Sequence, residues 1–266
     1  MKRLTLLLAL IISVHVAFAQ TVNDEQNVDP QIVVDQASSD IFPSSWLTPE
    51  VDAKAGALDI EKQQRGREIA SKMLAKYPVA VLKANLKCIY TIEWISYSGV
   101  KAGGTNSRDT VYAIIKDQVP DAKLEEIMHA EFSSILLRNF PTYFGTESWQ
   151  HINSPDFHYR GNGVEAIKKQ QASENLSEAL LEEGFLNEYA KASTEEDFNS
   201  FVGRLFVGDS GLWEAVEKYP RIKAKADLVI NFYGKLAPSL TEKFFNSLRQ
   251  AATEAESATK TTITKG

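Results

Sequence analysis

The spacing of hydrophobic residues divides the chain into a mixed first half and a helical second half. In DIEKQQRGREIASKMLAKYP (residues 59–78) the apolar residues recur with helical spacing, and Pro78 ends the pattern. By contrast, LKCIYTIEWISYS (86–98) and RDTVYAII (108–115) alternate and are rich in strand-forming residues. The glycine-rich GVKAGGTN lies between these two segments, so they are predicted to be two strands joined by a loop or hairpin.

Helix signals dominate the rest of the chain. Residues that can cap a helix precede apolar-periodic segments at Asp121, Thr194, Ser210 and Ser239, and Gly184 ends the segment LSEALLEEGF. The pattern therefore favours an α+β fold, in which a small N-terminal β-sheet is followed by a predominantly helical C-terminal lobe.

The first 19 residues, MKRLTLLLALIISVHVAFA, have the pattern of a cleaved signal peptide. A basic start is followed by a short apolar core and by Ala17-Phe18-Ala19, which matches the small-x-small cleavage pattern. We therefore expect the protein to be exported and to reside in the periplasm, at the outer membrane or outside the cell.

The rest of the chain is predicted to contain one domain between two irregular segments. Residues 20–45 are polar with little periodicity, which predicts a flexible leader. Residues 46–252 carry the periodic segments and are predicted to be a single domain. Residues 253–266, small and polar, are predicted to be a disordered tail.

Composition excludes several classes of function. The 266 residues carry a net charge of −6 with basic residues scattered among acidic ones, so there is no basic patch for nucleic acid. After the signal peptide no apolar run approaches the ~18 residues that span a bilayer. Cys88 is the only cysteine, which rules out an intrachain disulfide and disfavours a lipid anchor at the cleavage site.

The segment MHAEFSSILLRNF (128–140) places a glutamate in an apolar helical stripe. At 100° per residue, Glu131 falls within the stripe that contains Leu124, Ile127, Met128 and Ile135. A buried, unpaired carboxylate costs several kcal/mol. Glu131 is therefore predicted either to pair with a nearby Lys or Arg or to act as a general base.

The same segment is close to the H-E-x-x-H pattern of zinc metallopeptidases, in which both histidines bind zinc and the glutamate activates water. With Glu131 as that glutamate, the histidine positions hold Ala130 and Ser134. His129 is a candidate ligand by type, but it lies about 160° around the helix from Glu131 and should point away. His151 and His158, in QHINSPDFHYRG (150–161), could fold back as further ligands.

Three segments in order resemble a family of exported zinc-binding metallopeptidases of Bacteroidetes, which are often lipoproteins linked to outer-membrane nutrient import. The segments are EFSSIL (131–136), EEGFLNEYAKASTEEDF (182–198) and KYPRIKAKADLVINFYGKL (218–236). The matching positions are Gly184-Phe185, Tyr189-Ala190, Glu196-Asp197-Phe198, Ile222, Lys225 and Tyr233. The resemblance covers roughly residues 85–240.

The resemblance implies a zincin-like helical lobe with a gluzincin-like site, in which a glutamate from a second helix is the third zinc ligand. Glu131 carries over as the catalytic base and Glu196 as that zinc ligand. Glu196 also fits the acidic first turn of a capped helix. Because Ala130 and Ser134 replace the histidines, zinc is expected to be absent or weakly bound.

Three functions follow from these residues. The first is a metallopeptidase-like protein without catalytic activity that binds a peptide, a glycan or another envelope protein. The second is an active peptide hydrolase whose metal is held by a rearranged set drawn from His129, His151, His158 and Glu196. The third is a structural or interaction module in which Glu131 is merely paired in the core, with no cleft above it.

Overall fold

The computed structural model describes residues 30–33 and 39–263 and has the α+β architecture that the sequence predicts. The strands are β1 (Gln31–Val33), β2 (Lys54–Ala57), β3 (Cys88–Tyr97), β4 (Val100–Ala102), β5 (Gly104–Asn106) and β6 (Thr110–Ile114). The helices are α1 (Ile60–Leu74), α2 (Val79–Asn85), α3 (Asp121–Asn139), α4 (Thr146–Ile152), α5 (Gly163–Lys168), α6 (Glu178–Glu183), α7 (Thr194–Val207), α8 (Ser210–Lys218), α9 (Pro220–Leu236) and α10 (Glu242–Ile263).

The two predicted strands β3 and β6 are neighbours, but they run parallel and do not form a hairpin. Chain reversal occurs at Ser98 and Gly99, which both have positive φ, so the hairpin partner of β3 is β4. After Gly103 the chain continues as β5, which pairs antiparallel with β6 and forms one edge of the sheet. The glycine-rich connection thus contributes two short strands.

Part of the predicted leader (20–45) is ordered against the sheet. Residues 31–33 form β1, which pairs parallel with β3. Ile41 and Phe42 are buried on the outer sheet face against Ile92 and Tyr112. These apolar residues are too few to show periodicity, yet burial against a preformed sheet is enough to order them. The signal peptide lies outside the described residues.

The C-terminal helix also extends further than predicted. α10 continues to Ile263, past the boundary predicted at residue 252. The segment after residue 252 contains no proline, and its glycine is the last residue, Gly266, so nothing before that residue stops a helix. Within the described ranges no helix is both long and apolar enough to cross a membrane.

Helix boundaries fall within a few residues of the predicted ones because neighbouring polar residues supply the caps. Ser193, not Thr194, caps α7 by accepting a hydrogen bond from the backbone N–H of Glu196. Asp209 caps α8 in the same way, in place of Ser210. Gly184, with φ 93°, ends α6 as predicted.

The central element is α3, which packs between the sheet and the helical lobe. Its apolar side chains, among them Met128, Phe132 and Ile135, are fully buried in the main core. α7 crosses α3 closely because Gly203 faces it: a Cβ at position 203 would lie 2.7 Å from the carbonyl oxygen of Glu126. The position of α7 relative to α3 therefore depends on this glycine.

We predict that Gly203→Ala destabilises the protein by about 1–3 kcal/mol, even though alanine favours helices, because the added methyl group meets backbone. The matched control is Gly234→Ala in α9, where the nearest atom would be 3.8 Å from the new Cβ. That change should stabilise the protein by roughly 0.5–1 kcal/mol. Urea unfolding measures the free energy of unfolding of both variants. If the two substitutions changed it equally and with the same sign, the close packing of α3 and α7 would be contradicted.

Candidate functional site

Glu131 faces a cavity of about 380 Å³ between the sheet edge and the helical lobe. One wall is the β4–β5 edge, residues 101–106, and the floor is one face of α3, including Ile127, Ala130 and Ser134. The opposite wall comes from α7 and the segments before it, including Tyr189, Glu196 and Asn199. The two glutamates expected to form a site, Glu131 and Glu196, therefore line the same cavity.

The partner of Glu131 is an amide and not a cation. Asn106 on β5 donates a hydrogen bond from Nδ2 to Oε2 of Glu131, at 2.7 Å. The strand comes this close because residue 104 is glycine: a Cβ there would lie 2.9 Å from Ile127 Cγ2 and 3.1 Å from Glu131 Oε1. Among the residues that the structure describes, no Lys or Arg pairs directly with Glu131; its hydrogen bond comes from the edge strand β5.

Glu196 lies in the first turn of α7, and its side chain lines the cavity. Its backbone N–H is capped by Ser193, as expected for the first turn of a helix. Its side chain nevertheless turns towards the cavity, where Tyr189 donates a hydrogen bond from its hydroxyl to Oε1 at 2.9 Å. Gly163 packs against this pair, since a Cβ there would lie 2.4 Å from Glu196 Oε1.

Both carboxyl groups are shifted towards the neutral form. Burial raises the pKa of Glu131 to about 8; the Asn106 hydrogen bond opposes this rise, and the charge of Glu196 adds to it. Burial likewise raises the pKa of Glu196 to about 7, against the lowering effect of the Tyr189 hydrogen bond. The site thus holds two acids that titrate near neutral pH, where carboxyl groups can donate or accept a proton.

The two positions that would hold histidines in H-E-x-x-H are filled by residues with other contacts. Ala130 contributes a methyl group to the cavity floor. The Ser134 hydroxyl accepts a hydrogen bond from Asn199 Nδ2 at 2.8 Å, and Ser133 donates to the oxygen of the same amide. Asn199 thereby links α7 to α3 at the position where a second histidine would reach into the site.

The donor set does not fit catalytic zinc. Such a site needs about three protein ligands, usually including histidine, and the residues that line the cavity include glutamates but no histidine. Among the residues that the structure describes, no three His, Cys, Asp or Glu side chains are grouped so that they could hold a metal ion. Zinc chemistry of the metallopeptidase type therefore has no complete set of ligands here.

His129 lies in the core and does not line the cavity that contains Glu196. The ring is fully buried in the core and stacks on Phe206. Its Nδ1 lies 2.9 Å from the Tyr77 hydroxyl and its Nε2 lies 3.4 Å from Glu125 Oε1. Burial lowers the pKa of His129 to about 4, against the raising effect of Glu125, so the ring is neutral at pH 7. Its predicted direction, away from Glu131, is confirmed.

The other two histidines lie outside the cavity as well. His151 is exposed on α4, and its Nδ1 lies 2.7 Å from the carbonyl oxygen of Glu147. His158 is exposed in the loop that follows α4. Neither side chain lines the cavity that contains Glu131 and Glu196.

Four of the residues that carry the family resemblance, Gly184, Phe185, Asp197 and Lys225, meet at one buried ion pair. Lys225 on α9 lies 2.6 Å from Asp197 Oδ2, and both side chains are fully buried. The same ammonium group donates to the carbonyl oxygen of Gly184 at 2.8 Å and lies 4.0 Å from the centre of the Phe185 ring. The segments 182–198 and 218–236 are thus joined by a structural contact next to the cavity.

Sequence reasoning missed three polar residues of the cavity: Asn106, Tyr189 as the partner of Glu196, and Asn199. Asn106 lies in a glycine-rich segment that predicts a turn, and Asn199 lies inside a helix with no motif around it. No family model, no curated protein and no solved structure matches the chain. The resemblance to the metallopeptidases therefore stays a prediction from the sequence.

We predict that Glu131→Gln stabilises the protein at high pH. The pKa of Glu131 is raised from 4.5 to about 8 on folding, so its contribution to stability is fully present below pH 4.5 and is lost as pH rises through 8. Glutamine keeps the neutral form at all pH values. Relative to wild type, the free energy of unfolding should change little at pH 5 and rise by about 1–2 kcal/mol at pH 8.5, allowing for partial exposure.

The control is Glu254→Gln at an exposed position of α10, which should have no such pH-dependent effect. A Glu131→Gln variant that is less stable than wild type at pH 8.5 would mean that Glu131 is an ionised partner in the core, as the structural alternative requires.

Proposed function

We propose that the chain is an exported, metallopeptidase-like protein that has lost zinc catalysis and binds a peptide or another envelope protein in the Glu131 cavity. The observation that carries the proposal is the convergence of Glu131 and Glu196 on one cavity in which Ala130 and Ser134 occupy the histidine positions. Export rests on the signal-peptide pattern of residues 1–19, which lie outside the described part of the chain.

The two alternatives have less support. A purely structural role for Glu131 requires a direct Lys, Arg or Tyr partner and no cleft, whereas its bonded partner is Asn106 and a cavity lies above it. An active hydrolase with a rearranged metal site requires histidines near Glu131. His129 is in the core, and His151 and His158 lie outside the cavity.

Retained acids and lost metal ligands together favour binding over catalysis. Without a metal ion no water is activated at Glu131 by the family mechanism. The cavity keeps the features that orient a ligand: hydrogen-bonding side chains on both walls and an edge strand, β5, along one side. A peptide segment has the donors and acceptors that these groups can satisfy.

The loss of zinc binding can be tested by restoring the missing ligands. The mature chain, residues 20–266, purified without chelator, should contain well under one zinc per chain by mass spectrometry of the metal. Ala130→His combined with Ser134→His should raise this to about one zinc per chain, and adding Glu196→Ala should lower it again, because a catalytic-type site needs three ligands.

A pair with the same i, i+4 spacing on an exposed helix, Gln250→His with Glu254→His, is the matched control. Any zinc that it binds should not depend on Glu196. Stoichiometric zinc in the wild-type chain that is removed by Glu196→Ala would overturn the proposal.

Ligand binding is tested separately with a peptide library passed over the immobilised mature chain. Wild type should retain a subset of peptides without cleaving them. Ala130→Trp should lose this retention because the indole fills the cavity floor, whereas Ala130→Ser should keep it. Equal retention by wild type and Ala130→Trp, or cleavage that Glu131→Gln abolishes, would contradict a binding role for the cavity.

A further inference from the structure

The side chain of Asn106 stands between the cavity carboxyl group of Glu131 and the exposed guanidinium of Arg138. Arg138 lies seven residues after Glu131 on α3, two helical turns further along. Its Nη2 lies 2.5 Å from Asn106 Oδ1 and 2.7 Å from the carbonyl oxygen of Ser107. One arginine nitrogen therefore holds both the side chain and the backbone at the end of β5.

This contact decides which end of the amide faces the site. A guanidinium has only donors, so the group that faces Arg138 must be the amide oxygen. The amide nitrogen then faces Glu131, in agreement with the 2.7 Å contact from Nδ2 to Oε2. Glu131 consequently receives a hydrogen bond at Oε2 and does not have to donate one there.

The charged groups around this unit come from two elements. Glu195 and Glu196 on α7 act on Glu131 with negative charge, and Arg138 acts on it with positive charge. The other guanidinium nitrogen, Nη1, lies 3.6 Å from Glu195 Oε1. Arg138 thus touches β5 and α7, the two walls of the cavity, from its position on the floor helix.

We propose that Arg138 is a positioning residue that acts through Asn106: it fixes the amide with its nitrogen towards Glu131 and so sets which oxygen of Glu131 remains for the ligand. The inference rests on the proposed function in treating Glu131 as the acid that meets the ligand. Removing the guanidinium frees the amide to rotate, since a neutral residue can accept as well as donate.

The test is NMR on the mature chain without added ligand or metal. The side-chain NH₂ signal of Asn106 is assigned by its loss in Asn106→Ala, and the ¹³C carboxyl signal of Glu131 by its loss in Glu131→Gln. In Arg138→Gln we expect the Asn106 NH₂ signal to shift and its hydrogen exchange to speed up. The pKa of Glu131 should rise by about one unit because the carboxylate loses a fixed donor and, as a smaller effect, a nearby positive charge.

Arg138→Lys should keep both signals close to wild type, because the ammonium group also only donates. Arg160→Gln, which removes another surface arginine paired with a glutamate, should change neither. In the Asn106→Ala background, Arg138→Gln should raise the pKa of Glu131 by clearly less than it does in the wild-type background, because only the effect of the lost positive charge is then left. Thermal unfolding confirms that each variant is folded; Arg138→Met, which has no donor, replaces Arg138→Gln if that variant is not.

An unchanged Asn106 signal in Arg138→Gln would overturn the proposal. An equal pKa rise in the wild-type and Asn106→Ala backgrounds would also overturn it, because Arg138 would then act through space and not through the amide. Neither measurement involves metal or peptide. A negative result here would therefore refute the role of Arg138 without deciding whether the cavity binds a peptide.

Discussion

The buried ion pair between Asp197 and Lys225 is the contact on which the helical lobe depends. Two charges removed from water are stable only when each is paired and hydrogen-bonded. Asp197 Oδ2 receives donors from Lys225, Trp149 and Tyr159, and Lys225 also donates to the Gly184 carbonyl. Loss of one partner would leave an unpaired buried charge, which typically costs roughly 3–5 kcal/mol. The pair therefore fixes α7 against α9 and against the end of α6.

The cavity follows from this arrangement because the neighbouring residue, Glu196, lies about 100° around α7 from Asp197 and so faces a different side of the helix. With Asp197 held inward, Glu196 is directed into the space above α3, where Tyr189 binds it. Asn199, one turn further on, bonds to Ser134, and Gly203 allows close contact with Glu126. One face of α7 thus positions the acid, links to α3 and sets the distance between the two helices.

On the opposite wall, the edge strand β5 positions the second acid, Glu131. Gly104 lets β5 approach α3, and Asn106 then reaches Glu131. Within the described part of the chain, neither acid has a cation as its direct hydrogen-bond partner. Both accept from neutral donors, and burial shifts both towards the protonated form. A fold selected for stability alone would favour a neutral or paired group at such positions. This is the arrangement on which the proposal of a ligand-binding cavity rests.

The amino-acid sequence by itself determined the α+β order of elements, the helical position of Glu131 and the direction of His129, because these depend on local periodicity. The sequence also determined directly that neither position 130 nor position 134 is a histidine. The parallel pairing of β3 with β6, the ordering of part of the leader and the length of α10 were not predicted, since each depends on long-range packing or on the lack of a stop signal.

Only the tertiary structure decided that Glu131 and Glu196 share a cavity and that Asn106, Tyr189 and Asn199 are their neighbours. Asn106, Glu131 and the segment 189–199 lie tens of positions apart, and no spacing rule relates them. Their meeting is set by the close approach of β5 and α7 to α3, which glycines at 104 and 203 permit. Local pattern places side chains on a face, whereas the packing of distant elements determines which faces meet.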